Sequence, residues 1–467
     1  MGYYPLLHFW FTRSTRVYRY KSWLVSILFS LKERVYTSSA IKAKPGSKVV
    51  VAGWVHRIRI VGKICFIILR DREGLIQIVV KKDKSPQMFD EATQLKQEDV
   101  IAVKGEIVPS KASIGGIDLV AEELMVLTKT TAPLPIFPDD WEKTSLAKRL
   151  DWRFLDLRST RNLLIFRVQD TLENAMRYFY RENGFIEIHT SKLVAEATEG
   201  GAEVFPVIYF DKTAFLAQSP QLYKQMMVIA GFERVFESGP AYRAEKHHTP
   251  RHLTEYQSID IEMGFIDGPE DVMDMVEKAT IKALSEVASS YSKLAKELLG
   301  VDITLPKEVI RIKLTDACKL IEGSPTPCPS NYDISTEHEK AIGEAIANEY
   351  GTDLFFITDY PWIARPFYTM KSEDNPIFTR SFDLIYKGVE IVSGSQREHR
   401  YNKLVEQMLE KGLRPEKFGF YLEMFKYGAP PHGGAGLGLE RLTMTTLGLK
   451  NIREARLLPR DPERLTP

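Results

Sequence analysis

The segment best suited to ligand binding is a glycine-rich run near the end of the chain, followed by an arginine. Four of the six residues from Gly433 to Gly438 are glycines, and Arg441 falls in the first turn of a predicted helix. Glycine lets a backbone approach a flat or anionic ligand closely, and arginine supplies a permanent charge for phosphate. The run has neither P-loop nor dinucleotide-fold spacing. It predicts either another kind of nucleotide site or a buried turn beside a surface arginine.

A second group of charged residues surrounds a polar loop. Arg243 and Glu245 lie two apart at the end of a predicted strand and share a face, and Asp260 lies on the returning strand. A charged pair on an inward face requires a ligand or partners, because unpaired buried charge is costly. The loop holds three histidines up to His252, but Pro250 disfavours a helix that would align them on a metal. We expect a solvated basic loop rather than a zinc site.

Two further pairs could bind charged ligands. Asp383 and Glu390 flank a predicted turn and could bind magnesium beside phosphate, although solvated carboxylates are the simpler interpretation of this pair alone. Gln221 and Lys224 are neighbours on one helix face. An amide and an ammonium group together suit a small zwitterion with an extra carboxylate, or they form a solvated face.

The composition is typical of a soluble globular protein, with 44% hydrophobic and 27% charged residues. A length of 467 residues predicts two or three domains. The net charge of +1 means that nucleic-acid binding must depend on local patches. Cys65, Cys318 and Cys328 form no close pair in the sequence, which favours a reducing cytosol and argues against a zinc ribbon or a disulfide scaffold.

The sequence pattern divides the chain into four parts. Residues 1–34 hold basic residues and an apolar run too short to span a bilayer; we expect a disordered extension or a mis-assigned start rather than a targeting segment. Residues 35–128 alternate as short strands with one helix, which predicts an oligonucleotide-binding (OB) β-barrel. Residues 129–150 are a proline-punctuated linker. Residues 151–467 predict an α+β domain with an antiparallel sheet and separate helices.

The predicted barrel carries residues that could bind nucleic acid. Phe66 and Gln77 lie on adjacent strands, where an exposed Phe66 could stack on a base while Arg57 and Arg59 contact phosphates. From the pattern alone, a place in the barrel core fits Phe66 at least as well.

Taken together, these segments resemble the class II aminoacyl-tRNA synthetases, and among them the aspartyl-tRNA synthetases of the archaeal and eukaryotic cytosolic type. Residues 185–190 resemble the first motif of the class, 236–262 the second and 433–441 the third. The resemblance extends from about residue 35 to the C-terminus. It implies an OB-fold anticodon-binding domain before a class II catalytic domain, an antiparallel sheet flanked by helices. It also implies ATP-dependent attachment of L-aspartate to tRNA(Asp) through an aspartyl-adenylate, and to tRNA(Asn) as well in members of relaxed specificity.

The resemblance assigns roles to individual residues, with Arg243 on the α-phosphate and Arg441 on the γ-phosphate. The catalytic group comprises Arg243, Glu245 and Arg441. The ATP-binding residues are Arg243, Glu245, His252, Tyr256, Glu390, Gly438 and Arg441. The aspartate-binding residues are Glu199, Gln221, Lys224, Asp260, Ser393 and Arg397. The Mg²⁺ ligands are Asp383, Glu390 and Ser393. The anticodon-binding residues are His56, Arg59, Phe66 and Gln77, and a histidine at position 56 is typical of the relaxed type.

Two alternatives stay open, an asparaginyl-tRNA synthetase and a non-catalytic tRNA-binding paralogue. The argument for aspartate is that Lys224 and Arg397 would face one carboxylate, which disfavours the uncharged amide of asparagine. The resemblance further implies a cytoplasmic homodimer without a membrane partner. Ser191 stands where the first motif normally has a proline at the dimer interface, which weakens the dimer prediction.

Overall fold

The computed structural model describes residues 29–111, 113–196, 203–246 and 249–467. It divides into two compact units, Met1–Pro133 and Leu134–Pro467. Among the described residues, no helix combines the length and the apolar character needed to cross a bilayer.

The first unit is a closed five-stranded barrel with the strand order β1-β2-β3-β5-β4. Its inward-facing aliphatic residues form one core, as the alternating pattern predicted. The prediction of an OB-type barrel is confirmed. The elements are α1 (Thr37–Ile41), β1 (Lys48–Val61), β2 (Ile64–Asp71), β3 (Gly74–Lys81), α2 (Pro86–Thr93), β4 (Val100–Pro109) and β5 (Ile117–Thr128), with 3₁₀ turns at Leu31–Glu33 and Ile114–Gly116.

The end of the predicted N-terminal extension packs on the barrel. Phe29 is buried against Val50, Ala52 and Ala102, and Arg34 forms a β-bridge with Val50. Residues 29–34 are therefore part of the first unit, in contrast to the disordered extension expected for 1–34; residues 1–28 lie outside the described part of the chain.

The second unit is built on an eight-stranded sheet with the order β12-β13-β14-β15-β16-β11-β10-β6, beside a small three-stranded sheet, β7-β9-β8. Its elements, in chain order, are α3 (Leu146–Asp151), α4 (Arg153–Asp156), α5 (Thr160–Glu182), β6 (Ile186–Glu187), β7 (Leu193–Val194), β8 (Pro206–Tyr209), β9 (Lys212–Leu216), α6 (Gln221–Met227), β10 (Arg234–Tyr242), β11 (Glu255–Gly264), α7 (Pro269–Leu299), β12 (Ile310–Lys313), α8 (Leu314–Lys319), α9 (Thr336–Tyr350), β13 (Leu354–Thr358), β14 (Ser381–Tyr386), β15 (Val389–Gln396), α10 (Tyr401–Glu410), α11 (Gly419–Phe425), β16 (His432–Gly438) and α12 (Leu439–Thr446). Single turns occur at Val228–Phe232 (π) and at Trp362–Ala364, Pro415–Phe418 and Ile452–Ala455 (3₁₀).

The large sheet is antiparallel at its centre, which confirms the predicted α+β class. The six strands from β13 to β10 in the sheet order pair antiparallel, whereas the edge pairs β12–β13 and β6–β10 are parallel. The amphipathic helices α5, α7 and α12 contribute their apolar faces to the main core of the sheet. This core holds the central strands β11, β15 and β16 in place.

Helix α3 begins inside the stretch predicted to be a linker. Ser145 caps the helix by accepting a hydrogen bond from the backbone N–H of Lys148. Arg149 is buried and donates to Asp156 at 2.7 Å. The serine cap is a helix start signal that follows closely on a proline-rich stretch, so the composition of the segment as a whole still resembles a linker.

Two of the three cysteines form a disulfide, so the expectation of unpaired thiols is wrong. Cys318 ends the buried face of α8, and the chain turns back so that the Cα of Cys328 lies 5.6 Å away. A separation of ten residues in sequence did not indicate this return. Cys65 is the free cysteine, buried in the barrel.

Candidate active site

A cavity of about 370 Å³ lies in the second unit, walled by strands β11, β15 and β16, helix α6 and the first turn of α12. Twelve of the predicted site residues line it: Gln221, Lys224, Arg243, Glu245, His252, Tyr256, Asp260, Glu390, Ser393, Arg397, Gly438 and Arg441. Asp383 does not line it, and Glu199 lies outside the described residues. Strands β11, β15 and β16 are far apart in sequence, and they bring predicted ATP-binding, aspartate-binding and Mg²⁺-binding residues together in one cavity.

The glycines of β16 make room for acidic side chains of β11. A Cβ on Gly436 would lie 3.2 Å from Asp260 Oδ2, and a Cβ on Gly434 would collide with the Glu262 carboxylate and the Ile261 carbonyl. These glycines are paired with Asp260 and Glu262 across the two strands. Glycine is required here for space, because a side chain would displace the acidic groups.

Two buried cations, Lys224 and Arg397, lie at one end of the cavity and share the carboxylate of Glu262. Lys224 Nζ lies 2.9 Å from Asp260 Oδ2 and 3.4 Å from Glu262 Oε2. Arg397 donates to both oxygens of Glu262, at 2.9 and 3.1 Å. Both cations also line the cavity, so they can meet an anionic ligand group.

Glu262 is the group at this end that sequence reasoning did not assign to the site. Burial works to raise the pKa of Glu262, but Arg397 and Lys224 outweigh it and hold the pKa below its usual value. Its place two residues after Asp260 on one strand was the available signal, because such residues share a face.

Gln221 belongs to a buried amide network rather than to a solvated helix face. Its Nε2 donates to Gln225 Oε1 at 3.0 Å, and Gln225 in turn lies 2.9 Å from Nε2 of His432. The Tyr421 hydroxyl donates to the same Gln225 oxygen at 3.1 Å. The network fixes the orientation of Gln221 at the wall of the cavity.

The other end of the cavity carries arginines. Arg441 donates to the backbone carbonyl and to Oε1 of Glu390, at 3.1 and 3.2 Å. The Arg243 guanidinium lies over the Tyr256 ring, 5.5 Å from its centroid. The Arg365 guanidinium donates to Asp383 Oδ2 at 2.6 Å and to Ser393 Oγ at 2.9 Å. Arg365 was missed because it lies in a loop without a recognisable pattern.

The carboxylates of β14 and β15 fit a hard cation. Asp383 is buried, and its Oδ1 has no hydrogen-bond partner among the described residues. Burial and the charge of Glu390 raise the pKa of Asp383 despite the attraction of Arg365. At Glu390 the nearby arginines, Arg441 above all, outweigh burial and lower the pKa. A buried oxygen without a partner beside a second carboxylate is an environment that a divalent cation would stabilise.

The loop between β10 and β11 contributes a weaker contact. His252 Nε2 lies 3.7 Å from Glu245 Oε2, and both residues line the cavity. Within the described residues, no group of three or more His, Cys, Asp or Glu side chains could hold a metal ion.

In the first unit, the predicted nucleic-acid residues lie along neighbouring strands. Phe66 is not part of the buried core of the barrel; the Arg59 guanidinium lies 5.3 Å from its ring centroid. Gln77 donates to Ser113 and Asp118, both at 2.8 Å. An aromatic face beside an arginine suits base stacking.

His56 lies at an irregularity of the barrel. The pairing register of β1 and β2 shifts between Val55 and Arg57, and such bulges redirect side chains. His56 Nδ1 lies 3.5 Å from Arg70 Nη1, and Arg70 is held by the buried Glu98 at 2.7 Å. A buried ion pair thus lies directly beside the His56 ring.

Two family models match the chain. The model of class II tRNA synthetases (D, K and N) matches residues 145–462, and the model of the OB-fold nucleic acid binding domain matches residues 49–127. These matches cover the large-sheet unit and the barrel.

Curated proteins similar to the chain are named as aspartate ligases. The chain is 49% identical to an aspartate–tRNA(Asp/Asn) ligase of Aeropyrum pernix, over 90% of this chain and 96% of the relative. It is 47% identical to an aspartate–tRNA(Asp) ligase of Pyrococcus abyssi, over 92% of this chain and 99% of the relative.

Solved structures similar to the chain include synthetases for both amino acids. An asparaginyl-tRNA synthetase of Pyrococcus horikoshii in complex with asparaginyl-adenylate has a TM-score of 0.86 at 32% identity and covers 93% of this chain and 100% of its own. An aspartyl-tRNA synthetase of Entamoeba histolytica has a TM-score of 0.83 at 31% identity and covers 93% of each chain.

Proposed function

Since the chain belongs to the class II tRNA synthetases, we propose that it activates L-aspartate with ATP and transfers it to tRNA(Asp). Its activity is aspartate–tRNA ligation, the activity named for curated relatives that are 45–49% identical over most of the chain. The asparaginyl enzyme with a TM-score of 0.86 is only 32% identical, so the closer sequence relationship favours aspartate.

The observation that carries the proposal is the pair Lys224 and Arg397 at one end of the cavity. Two cations favour a side-chain carboxylate over a carboxamide, because the amide group presents donors where the site also presents donors. Asp260 and Gln221 then meet the α-ammonium end of the amino acid, with Ser393 in support. The resemblance also assigns Glu199 to the aspartate site, but Glu199 lies outside the described residues.

At the arginine end, Arg243 binds the α-phosphate of ATP and Arg441 the γ-phosphate, while Tyr256 stacks on the adenine. The aspartate α-carboxylate oxygen attacks the α-phosphorus, the bond from that phosphorus to the bridging oxygen breaks, and pyrophosphate leaves. A ribose hydroxyl of the terminal tRNA adenosine then attacks the activated carbonyl carbon, the bond from that carbon to the phosphate oxygen breaks, and AMP leaves with the hydroxyl proton. The residues act by positioning and charge stabilisation.

The remaining ATP-site residues act around this centre. Glu245 and His252 contact the nucleotide, and Gly438 lets it approach the backbone. Asp383, Glu390 and Ser393 are the proposed Mg²⁺ ligands. When bound, Mg²⁺ would neutralise charge on the phosphates.

For the tRNA, we propose that the barrel binds the anticodon through Phe66, Arg59 and Gln77, with His56 setting the choice between tRNAs. A histidine at this position favours charging of tRNA(Asn) as well as tRNA(Asp). Both ligase types are named among the relatives.

We further propose a homodimer that acts in the cytoplasm, where aminoacyl-tRNA is used. Tyr178 of α5 and Ile186 of the edge strand β6 are exposed apolar side chains, 64% and 49% accessible. An exposed edge strand with apolar neighbours is a surface that a second copy could cover.

The first experiment is amino-acid-dependent ATP–pyrophosphate exchange, followed by charging of transcripts of both tRNAs. We expect exchange with aspartate and none with asparagine. Exchange with asparagine alone would identify an asparaginyl enzyme, and no exchange with either would indicate a non-catalytic paralogue. A protein that charges tRNA(Asp) but not tRNA(Asn) would contradict the relaxed specificity assigned to His56.

A further inference from the structure

Glu339, in the first turn of helix α9, is a buried carboxylate that does not line the cavity. Its side chain is 11% exposed. It lies on the helix face that carries Ile342 and Ile346, both fully buried, because residues three and seven apart share a face. Glutamate is almost never buried on such a face unless it is paired. Its place there therefore requires a partner.

Helix α9 approaches the β14–β15 hairpin through two glycines. A Cβ on Gly343 would lie 2.8 Å from the Cα of Gly388, in the turn of the hairpin. Gly343 follows Glu339 by about one helical turn. Because no side chain separates the helix from the turn, α9 packs against this hairpin, and the charges of Glu390 and Asp383 act on Glu339.

The partner of Glu339 is Arg251, in the loop between β10 and β11. The Arg251 guanidinium donates to Glu339 Oε2 at 3.0 Å. Unlike Glu339, Arg251 lines the cavity. The ion pair therefore connects the arginine end of the cavity to a helix that lies outside it.

The electrostatic surroundings of Glu339 agree with this geometry. Burial, followed by repulsion from Glu390, raises the pKa of Glu339 to about 7, against the attraction of Arg251. A third carboxylate near Asp383 and Glu390 is unfavourable by itself. The contact with Arg251 is the interaction that offsets this cost.

We propose that Glu339 is a positioning residue for the phosphate-binding end of the cavity and that it acts through Arg251. This inference rests on the proposed function, because it requires ATP in the cavity. An anchored arginine needs less ordering when ATP binds than a free one. Glu339 does not touch ATP, so its loss should weaken ATP binding more than it slows the chemical step.

The test is Glu339→Gln in aspartate-dependent pyrophosphate exchange. We expect the KM for ATP to rise about tenfold, as for the loss of one charge-assisted hydrogen bond, with kcat and the KM for aspartate changed by less than about twofold. Glu337→Gln, an exposed residue of the same helical turn, is the matched control and should behave like the unsubstituted protein. An unchanged KM for ATP in Glu339→Gln would overturn the proposal.

A double-mutant cycle shows whether Glu339 acts through Arg251. In an Arg251→Ala background, Glu339→Gln should change the KM for ATP by less than about twofold, because the pair is already broken. Effects that multiply would overturn the proposal. Gly343→Ala is a second variant that keeps both charges but moves the helix; it should also raise the KM for ATP, and an unchanged KM there would count against the inference. If the proposed function itself is wrong, the unsubstituted protein will show no aspartate-dependent exchange.

Discussion

At the scale of single residues, several cations around the cavity are each held by a carboxylate of the protein. The pairs are Lys224–Asp260, Arg251–Glu339, Arg365–Asp383, Arg397–Glu262 and Arg441–Glu390. Such pairs orient the charged groups before a ligand binds, which leaves less reorganisation for the reaction. They also offset each other's charge, so an anionic ligand is recognised by the geometry of the donors rather than by a strong positive field.

Arg441→Ala should abolish most of the adenylation activity. We expect aspartate-dependent pyrophosphate exchange to fall at least about 10²-fold, the usual effect of removing one donor to the developing charge. The affinity for tRNA, measured by filter binding, should stay within about twofold. Lys450→Ala, exposed just beyond the same helix, is the control. Unchanged exchange in Arg441→Ala would show that this arginine serves the fold alone.

Glu262→Gln should lower stability in a pH-dependent way. The pKa of Glu262 is held below its usual 4.5, so its ionised form stabilises the fold above that pH, and the contribution is lost as the pH falls through the folded pKa. At pH 7 we expect the free energy of unfolding to drop by about 3 kcal/mol, as for a broken buried ion pair. Urea unfolding at pH 7, 5 and 4 measures the difference between the two proteins. It should shrink below pH 4.5; a difference that is constant with pH contradicts this role.

At the scale of elements, strand β16 lies between β11 and β15 and contributes glycines where its two neighbours contribute proposed ligand-binding side chains. Gly434 and Gly436 leave space for the acids of β11, and Gly394 of β15 leaves space for Phe382 and Ala435. The residues of β16 that face Asp260 and Glu262 are glycines, and this leaves the space that the two acidic side chains occupy.

Gly436→Ala should impair aspartate binding while the protein stays folded. The new Cβ would lie 3.2 Å from Asp260 Oδ2, so Asp260 must move by a few tenths of an ångström. We expect the KM for aspartate to rise about tenfold, a cost within the usual range for overpacking. Gly419→Ala, where a new Cβ meets no atom within 4 Å, is the control.

Gly434→Ala should have a different effect, because its Cβ would collide with a backbone carbonyl as well as with Glu262. We expect a loss of about 1–3 kcal/mol in the free energy of unfolding. Thermal unfolding of Gly436→Ala and Gly434→Ala distinguishes the two cases. Equal unfolding midpoints for both variants would contradict the difference in packing.

Periodicity was sufficient to predict the elements that build the core. The apolar patterns predicted the OB-type barrel of the first unit and the antiparallel sheet with separate helices of the second. Several ion pairs around the site were not predicted, because the paired residues are distant in sequence: Arg251 and Glu339 are 88 residues apart, and Arg397 and Glu262 are 135 apart. Pairings of this kind depend on the order of strands in the sheet, which no local pattern specifies.

At the scale of the whole molecule, the barrel and the large-sheet unit are separate compact bodies with separate cores. The proposed anticodon residues belong to one and the proposed chemistry to the other. Substitutions in the barrel should therefore change tRNA recognition without changing the activation of the amino acid.

Phe66→Ala tests this separation. We expect the KM for tRNA in charging to rise about tenfold or more, since stacking of one base on an aromatic ring contributes about 1–3 kcal/mol. Pyrophosphate exchange without tRNA should be unchanged. Leu127→Ala, at an exposed position of the same barrel, is the control. A Phe66→Ala protein with a normal KM for tRNA would show that the ring is structural.

The glycines of β16 also limit which substitutions the protein can accumulate during evolution. A Cβ at Gly433, Gly434 or Gly436 would lie within 3.2 Å of a neighbouring atom, so these three positions of β16 accept few substitutions. New amino-acid preferences would have to arise on α6, on β11 and directly after β15, where Lys224, Asp260 and Arg397 line the cavity. Changes in amino-acid specificity are therefore expected in the elements beside β16 rather than at its glycines.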